Sequence, residues 1–220
     1  MELHFDQELA HLKETLLRMA GLATQSVAQA LKALVQRDDV MACRVDEGDQ
    51  ILDQLEIEID ELCIELIALR QPKATDLRFI IMAMKISAEL ERIGDQAVSL
   101  AHRALALNKE PLLKPLVDIP RMADHAMGMI RDALDAFVYA EPDKARNVIT
   151  RDEKVDALND QLHRELTSFM IEDPQTITRA LNLITVSRKL ERIADHATNI
   201  AEEIVYLYEA RDIRHQHAEA

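Results

Sequence analysis

A 17-residue stretch occurs twice in this chain, and the repeat limits the possible folds more than any other feature of the sequence. Residues 85–101 and 185–201 are identical at eight of their 17 positions. Chance would give about one or two identities, so the two stretches are copies of one unit. We therefore expect a fold with two similar halves. The identities are Ser87/Ser187, Leu90/Leu190, Glu91/Glu191, Arg92/Arg192, Ile93/Ile193, Asp95/Asp195, Ala97/Ala197 and Ala101/Ala201.

The apolar residues of each copy are spaced as on one face of an α-helix. Leu90, Ile93, Ala97 and Leu100 lie three or four residues apart, which is helical periodicity. The same periodicity continues between the six prolines, and the chain has only four glycines and no tryptophan. This pattern indicates long helices with an aliphatic core. They are predicted over residues 5–37, 39–69, 75 onwards, 116–140, 143–171 and 175–210.

The proline-spaced stretch 110–120 divides these helices into two sets of three. Short connections between long helices favour antiparallel neighbours in up-and-down bundles. We therefore predict an all-α fold of six long helices in two three-helix bundles. Residues 1–110 would form the first repeat and residues 111–220 the second.

Acidic residues four positions apart form another pattern that both halves share. In each half two such pairs occupy corresponding positions, one on its second helix and one on its third, beside the apolar stripe. Carboxylates at this spacing repel each other in an isolated helix, so their presence in both copies indicates a positive partner. A metal cation is the natural candidate. The pairs are Asp49 and Asp53, Glu91 and Asp95, Asp152 and Asp156, and Glu191 and Asp195.

Position along the helices allows the two pairs of each half to meet. Asp53 precedes the turn at Pro72 by about as many residues as Asp95 follows it, and Asp156 and Asp195 are similarly placed around Pro174. Two antiparallel helices that leave one turn reach similar depth after equal lengths. The sequence therefore permits one metal site in each half.

The chemistry of the donor atoms limits the choice of ion. Hard ions such as Mg²⁺ or Mn²⁺ suit an all-oxygen site, iron is compatible, and Zn²⁺ is less natural. Glu8-x-x-His11 and Asp160-x-x-His163 match the carboxylate–histidine spacing of di-iron bundles. The first motif stands alone near the N-terminus, and the second matches it only weakly. A solvated acidic face, a carboxylate-bridged metalloenzyme and a metal-free helical adaptor therefore stay open as alternatives.

The net charge and the absence of export signals limit the expected partners and the expected cellular location. The net charge is −14, which disfavours nucleic acid as a partner. The N-terminus has no signal-peptide core, and no run of 18 apolar residues occurs. Cys43 and Cys63 form no zinc or disulfide pattern. We expect a cytoplasmic protein without membrane insertion, and a frayed polar tail over residues 211–220 that contains His215 and His217.

The sequence resembles the PhoU family, the regulators of bacterial phosphate uptake. The resemblance covers almost the whole chain. It rests on Arg-Gln-Pro-Lys-Ala-Thr-Asp-Leu-Arg at 70–78, Ala-Glu-Leu-Glu-Arg-Ile-Gly-Asp at 88–95, Met-Ile-Glu-Asp-Pro at 170–174 and Leu-Glu-Arg-Ile-Ala-Asp at 190–195. Ala194 departs from the family pattern, which Gly94 follows.

The resemblance implies a fold of two three-helix bundles related by pseudo-twofold symmetry, and acidic motifs that bind divalent metal ions. One site would contain Asp49, Asp53, Glu91 and Asp95. The other would contain Asp152, Asp156, Glu191 and Asp195.

The resemblance also implies a negative regulator of the phosphate-starvation response. Such a protein links the ATPase subunit of the phosphate ABC transporter to a sensor histidine kinase, and many members form homodimers. No nucleophile constellation or glycine-rich phosphate loop occurs in the sequence, so we predict an adaptor and no enzymatic activity.

Overall fold

The computed structural model describes residues 2–214, with side chains from residue 5 onwards. This part of the chain contains six long α-helices, one short α-helix and a 3₁₀ turn at Pro174–Thr176, and no strand. The all-α fold of two similar helical halves is confirmed. The helices are α1 (Glu2–Gln36), α2 (Asp39–Arg70), α3 (Ala74–Asn108), α4 (Asp118–Tyr139), α5 (Pro142–Ile149), α6 (Asp152–Glu172) and α7 (Ile177–Glu209).

Local chemistry accounts for the ends of α2. The Asp38 side chain accepts a hydrogen bond of 3.0 Å from the backbone N–H of Met41, which satisfies one of the free donors at the start of the helix. Gln71 ends the helix in the left-handed region at φ 46°. Pro72 then follows and prevents the helix from continuing. The chain therefore reverses here, and α3 returns antiparallel to α2.

The prediction of one continuous helix over residues 143–171 is wrong. The chain leaves the helical path at Thr150 and Arg151, between α5 and α6. The β-branched residues Val148, Ile149 and Thr150 are poor helix formers in succession, and the Thr150 hydroxyl donates to the Asn147 carbonyl at 3.0 Å. The break places Asp152 at the first position of α6, whereas Asp49 lies in the interior of α2.

Helices α3 and α7 run antiparallel through the centre of the molecule. α1 and α2 pack on α3, and α4, α5 and α6 pack on α7. The buried residues are mostly alanine, leucine, isoleucine and methionine, and they form one continuous core that includes Phe137. Small side chains let the central helices approach closely. The division into domains 1–110 and 111–220 stays a prediction.

Within residues 2–214, no helix combines the length and the apolar content that a membrane span requires. The last helix ends at Glu209, and residues 210–214 continue without helical structure. The frayed tail was predicted over residues 211–220. Its two histidines, His215 and His217, lie outside the described residues.

Candidate metal centres between paired helices

The antiparallel pairing of α2 and α3 brings the four predicted residues of the first half together. Asp49 interacts electrostatically with Asp53 on its own helix and with Asp95 on α3. Glu91 in turn interacts with Asp95, Asp53 and Asp49. We call these four residues the first acidic cluster.

The absence of a side chain at Gly94 makes room for two side chains of α2 at the first acidic cluster. A Cβ atom added to Gly94 of α3 would stand 2.5 Å from Leu52 Cδ1 and 3.2 Å from Asp49 Oδ1. A side chain at this position would therefore force Leu52 to change its conformation and would crowd the Asp49 carboxylate, and a large side chain would also push α2 away from α3. The second half has Ala194 at the equivalent position.

Burial and mutual repulsion make ionisation of two members of the first acidic cluster, Asp49 and Glu91, unfavourable. Burial raises the pKa of Asp49 to about 6, with further contributions from Asp53 and Asp95. Burial, followed by the charge of Asp95, raises the pKa of Glu91 to about 7. An oxygen-rich site whose carboxylates repel one another at neutral pH has the electrostatics that a bound cation would relieve.

Two further acids of α2 border the first acidic cluster. Burial raises the pKa of Glu56, and the charges of Asp60, Asp53 and Asp95 act in the same direction, although Arg92 lowers it. Asp49, Asp53, Glu56 and Asp60 lie four, three and four residues apart, as on one helix face. Glu56 and Asp60 form a further pair at this spacing, but the second half has Asn159 and His163 at the equivalent positions. The repeat therefore did not mark Glu56.

The second half repeats this arrangement between α6 and α7. Burial raises the pKa of Asp152 to about 7, with contributions from Asp156, Asp195 and Glu191. These four residues form the second acidic cluster, so the structure brings together all the predicted residues of each half. Burial also raises the pKa values of Asp156, Glu191 and Asp195. The charges of His196 and Arg192 partly offset the increase in the pKa of Asp195.

Neither acidic cluster is neutralised by a basic side chain. In the part of the chain that the structure describes, no lysine, arginine or histidine forms an ion pair with any of the eight carboxylates. The Asp152 Oδ1 atom is buried and has no hydrogen-bond partner. Buried acceptors are normally paired with a donor or a cation.

The donor chemistry of both clusters fits a divalent metal ion, because all eight side chains offer carboxylate oxygens. Over residues 5–214, no three Asp, Glu, His or Cys side chains stand close enough together to hold one ion as they are placed. Coordination would require the side chains to rotate towards a common ion between the paired helices.

A polar interface between α3 and α7 connects the two halves. Glu89 Oε2 lies 2.8 Å from His196 Nδ1 and accepts a hydrogen bond of 2.9 Å from Asn199. Burial opposes ionisation of Glu89, but these hydrogen bonds outweigh it and lower the pKa of the carboxyl group. At the equivalent place Lys189 donates to Gln96 at 3.1 Å. Each of these contacts lies within two residues of a carboxylate of an acidic cluster.

Comparison with known proteins gives consistent matches along the chain. The family model described as PhoU domain matches residues 16–104 and 119–204. A phosphate-specific transport system accessory protein PhoU homolog of Pseudomonas putida is 42% identical over 212 residues, covering 96% of this chain and 83% of the relative. The homolog of Aquifex aeolicus is 43% identical over 211 residues and covers 96% of both proteins.

Two crystal structures have the same fold. The structure of PhoU from Pseudomonas aeruginosa superposes with a TM-score of 0.91 at 41% identity, covering 94% of this chain and all of that one. The structure of the phosphate transport system regulatory protein PhoU from Streptococcus pneumoniae gives a TM-score of 0.88 at 30% identity, covering 95% and 99% of the two chains.

Proposed function

The chain belongs to the PhoU family, and from this premise we propose that it is an accessory regulator of a phosphate transport system. The observation that carries the proposal is the pair of acidic clusters, which lie between paired helices and, among the described residues, form no ion pair with a basic side chain. The proposal has two parts that are tested separately, metal binding by the clusters and regulation through partner proteins.

For the first part, we infer that each acidic cluster holds a divalent metal ion. Mg²⁺, Mn²⁺ and Fe²⁺ match oxygen donors better than Zn²⁺ does. Asp49, Asp53, Glu91 and Asp95 would hold an ion in the first half, and their equivalents Asp152, Asp156, Glu191 and Asp195 in the second. The bound ion would supply the positive charge that the clusters lack. The carboxylates would then tie α2 to α3 and α6 to α7.

For the second part, the protein acts as a negative regulator of the phosphate-starvation response. It links the ATPase subunit of the phosphate ABC transporter to a sensor histidine kinase in the cytoplasm, as a homodimer and without enzymatic activity. The exposed face of α2 supports a role in protein contacts, because Ile57 and Ile64, two turns apart on this helix, are 58% and 61% exposed. Large exposed aliphatic side chains often mark protein interfaces.

Calorimetric titration of metal-stripped protein with Mn²⁺ tests the first part. We expect saturable binding by the wild-type protein and loss of binding in a variant with Asp95→Asn and Asp195→Asn, since these changes remove one carboxylate charge from each cluster without changing shape. The matched control is Asp143→Asn, at a carboxylate that is almost fully exposed on α5. Unchanged Mn²⁺ binding in the double variant would contradict metal binding by the clusters.

Co-purification with the ATPase subunit and the kinase from the same genome tests the second part. The wild-type protein is expected to retain both partners, and Mn²⁺ should change the retained amount relative to EDTA. Failure to retain either partner at any phosphate concentration would defeat the regulatory role. If the retained amount is the same in Mn²⁺ and in EDTA, the metal-free adaptor is the remaining interpretation.

A carboxylate-bridged metalloenzyme is the second candidate, and one observation favours it. His163 lies on α6, three residues after Asp160, and the two side chains interact electrostatically. This is the carboxylate–histidine spacing of di-iron bundles. Oxygen consumption or hydrolysis by Fe²⁺-loaded protein, absent in the double variant, would support this candidate over the adaptor.

A further inference from the structure

The contact between the central helices α3 and α7 has two polar edges, and the internal repeat relates one edge to the other. On one edge, Glu89 of α3 contacts His196 and Asn199 of α7. On the other edge, Gln96 of α3 accepts a hydrogen bond of 3.1 Å from Lys189 of α7. Positions 89 and 189 correspond in the two copies of the repeat, as do positions 96 and 196. The two edges can therefore be compared position by position.

Carboxylates balance the cations on the edge that contains Glu89, which we call the paired edge. Lys85 Nζ lies 3.1 Å from Glu203 Oε1, and Arg92 donates to Glu89 at 2.6 Å. His196 Nδ1 lies 2.8 Å from the same carboxylate. The positive charges of this edge are therefore neutralised within the protein.

The opposite edge has cations where the paired edge has carboxylates. Lys189 stands at the position that corresponds to Glu89. Arg103 stands at the position that corresponds to Glu203. We call Arg103, Lys189 and Arg192 the basic edge. The repeat has exchanged both carboxylates for cations here, although the net charge of the protein is −14.

The basic edge keeps most of its hydrogen-bond donors unused. Among residues 5–214, none of its three cations forms an ion pair with a carboxylate. Lys189 donates to Gln96, and Arg103 donates to Asn182 Oδ1 at 3.3 Å. An ammonium or a guanidinium group carries more donors than these contacts use, and Arg192 donates to no residue that the structure describes. The edge therefore presents several N–H groups to a ligand.

The three cations lie close enough to act on one another. Burial lowers the pKa of Lys189, and the charges of Arg192 and Arg103 lower it further. Asp95 partly offsets this effect and Asp195 interacts with Arg192, but neither carboxylate comes within ion-pair distance. Along α7, Arg103 makes its contact at a level about 10 Å before Lys189, and Arg192 follows about 5 Å after it. Side chains of this length can converge on an anion bound at Lys189.

Clustered cations without counter-charges favour a ligand with more than one negative charge. A phosphate group carries nearly two charges and three acceptor oxygens at neutral pH. It can therefore accept hydrogen bonds from an ammonium and two guanidinium groups at once. A carboxylate has two oxygens and one charge, so it would leave part of the basic edge unsatisfied.

We propose that the basic edge binds a phosphate oxyanion, with Lys189 Nζ as the central donor and Arg103 and Arg192 as flanking donors. The ligand is inorganic phosphate or the terminal phosphate of a nucleotide, which present the same oxygens. This site uses none of the eight carboxylates of the acidic clusters. The inference therefore goes beyond the proposed function and does not depend on metal binding.

Calorimetry and phosphorus NMR of the metal-stripped protein test the inference. The whole chain is titrated in EDTA, at constant ionic strength, with inorganic phosphate and separately with ADP, so that no bound metal can hold the ligand. We expect saturable binding of at least one of them and no binding of adenosine, which lacks phosphate. Lys189→Met should raise the Kd about tenfold or more, because it removes the central charge. Lys189→Arg, which keeps the charge, should stay within about threefold of the wild type.

Lys85→Met is the matched control. It removes a lysine from the paired edge of the same two helices, where Glu203 already balances the charge. The Kd for the phosphate ligand should change less than about twofold, because an ion pair at a partly exposed site contributes little elsewhere. Circular dichroism checks that the variants keep their helices.

Each outcome supports or overturns the inference. Saturable binding of ADP alone assigns the basic edge to nucleotides, and saturable binding of inorganic phosphate assigns it to the free ion. Absence of binding, an unchanged Kd in Lys189→Met, or an equal loss in Lys85→Met overturns the inference. None of these results bears on the proposed function, which the Mn²⁺ titration of the acidic clusters tests on its own.

Discussion

The two acidic clusters have the same carboxylate spacing but different backbone settings. Asp49 lies in the interior of α2, where Gly94 allows α3 to approach closely. Asp152 is the first residue of α6, where the partial positive charge of the helix end favours an anion, and it faces a helix that has Ala194 instead of glycine. A repeated motif therefore specifies a similar row of side chains without specifying an identical site.

The largest expected effect comes from filling the space beside Gly94. Gly94→Leu should lower the free energy of unfolding by about 2–3 kcal/mol, because the new side chain overlaps Leu52 and the Asp49 carboxylate. It should also weaken metal binding in the first half and leave the second unaffected. Urea denaturation and Mn²⁺ titration measure the two effects.

Gly48→Leu is the matched control for this substitution. Gly48 also lies within α2, and a Cβ atom added there meets nothing within 4 Å. The change should be neutral or stabilising by up to about 1 kcal/mol, because leucine is a better helix former than glycine. Equal destabilisation by the two substitutions would show that close approach at Gly94 does not distinguish the halves.

The next effect is a loss of stability of the metal-free protein as the pH rises. The folded-state pKa values of about 6 for Asp49 and about 7 for Glu91 and Asp152 exceed the ordinary values of these carboxyl groups. The folded state therefore binds more protons than the unfolded state between about pH 4 and 7. Stability is highest below this window, and falls by on the order of 1–2 kcal/mol across it after allowance for solvent screening.

Two amide variants assign this pH dependence to one half or the other. Asp152→Asn should flatten the decline between pH 5 and pH 8 more than Asp49→Asn does, because the pKa of Asp152 is raised further. Urea denaturation in EDTA at the two pH values measures the slopes, and added Mn²⁺ should restore stability at pH 8. A flatter pH dependence of stability in Asp49→Asn than in Asp152→Asn would contradict this prediction.

The smallest expected effect concerns the contacts between α3 and α7. Glu89→Gln should destabilise the protein by about 1–2 kcal/mol, because Glu89 is a largely buried, charged acceptor for Asn199 and a partner of His196. Lys189→Met, at the repeat-equivalent position, removes one contact with Gln96 and should cost less than about 1 kcal/mol. Thermal unfolding of both variants checks this order.

Residue spacing predicted most of the candidate site, and the features that it did not predict have identifiable physical causes. The eight carboxylates were predictable because residues four apart share a helix face, and helices that leave one turn reach equal depth. Glu56 corresponds to the uncharged Asn159 of the second half, so the repeat does not mark it. The break at Thr150 follows a run of three β-branched residues, which the periodicity of apolar residues does not report.

Apolar periodicity, prolines and repeat spacing are local properties of the chain, so most of the helices, their division into two related halves and the eight carboxylates follow from the order of residues alone. Which polar atoms are left buried without partners, and how tightly Leu52 and Asp49 pack onto Gly94, depend instead on the three-dimensional packing of the helices. Burial and contact depend on atoms that are distant in sequence, and those atoms are also what makes the two halves chemically different.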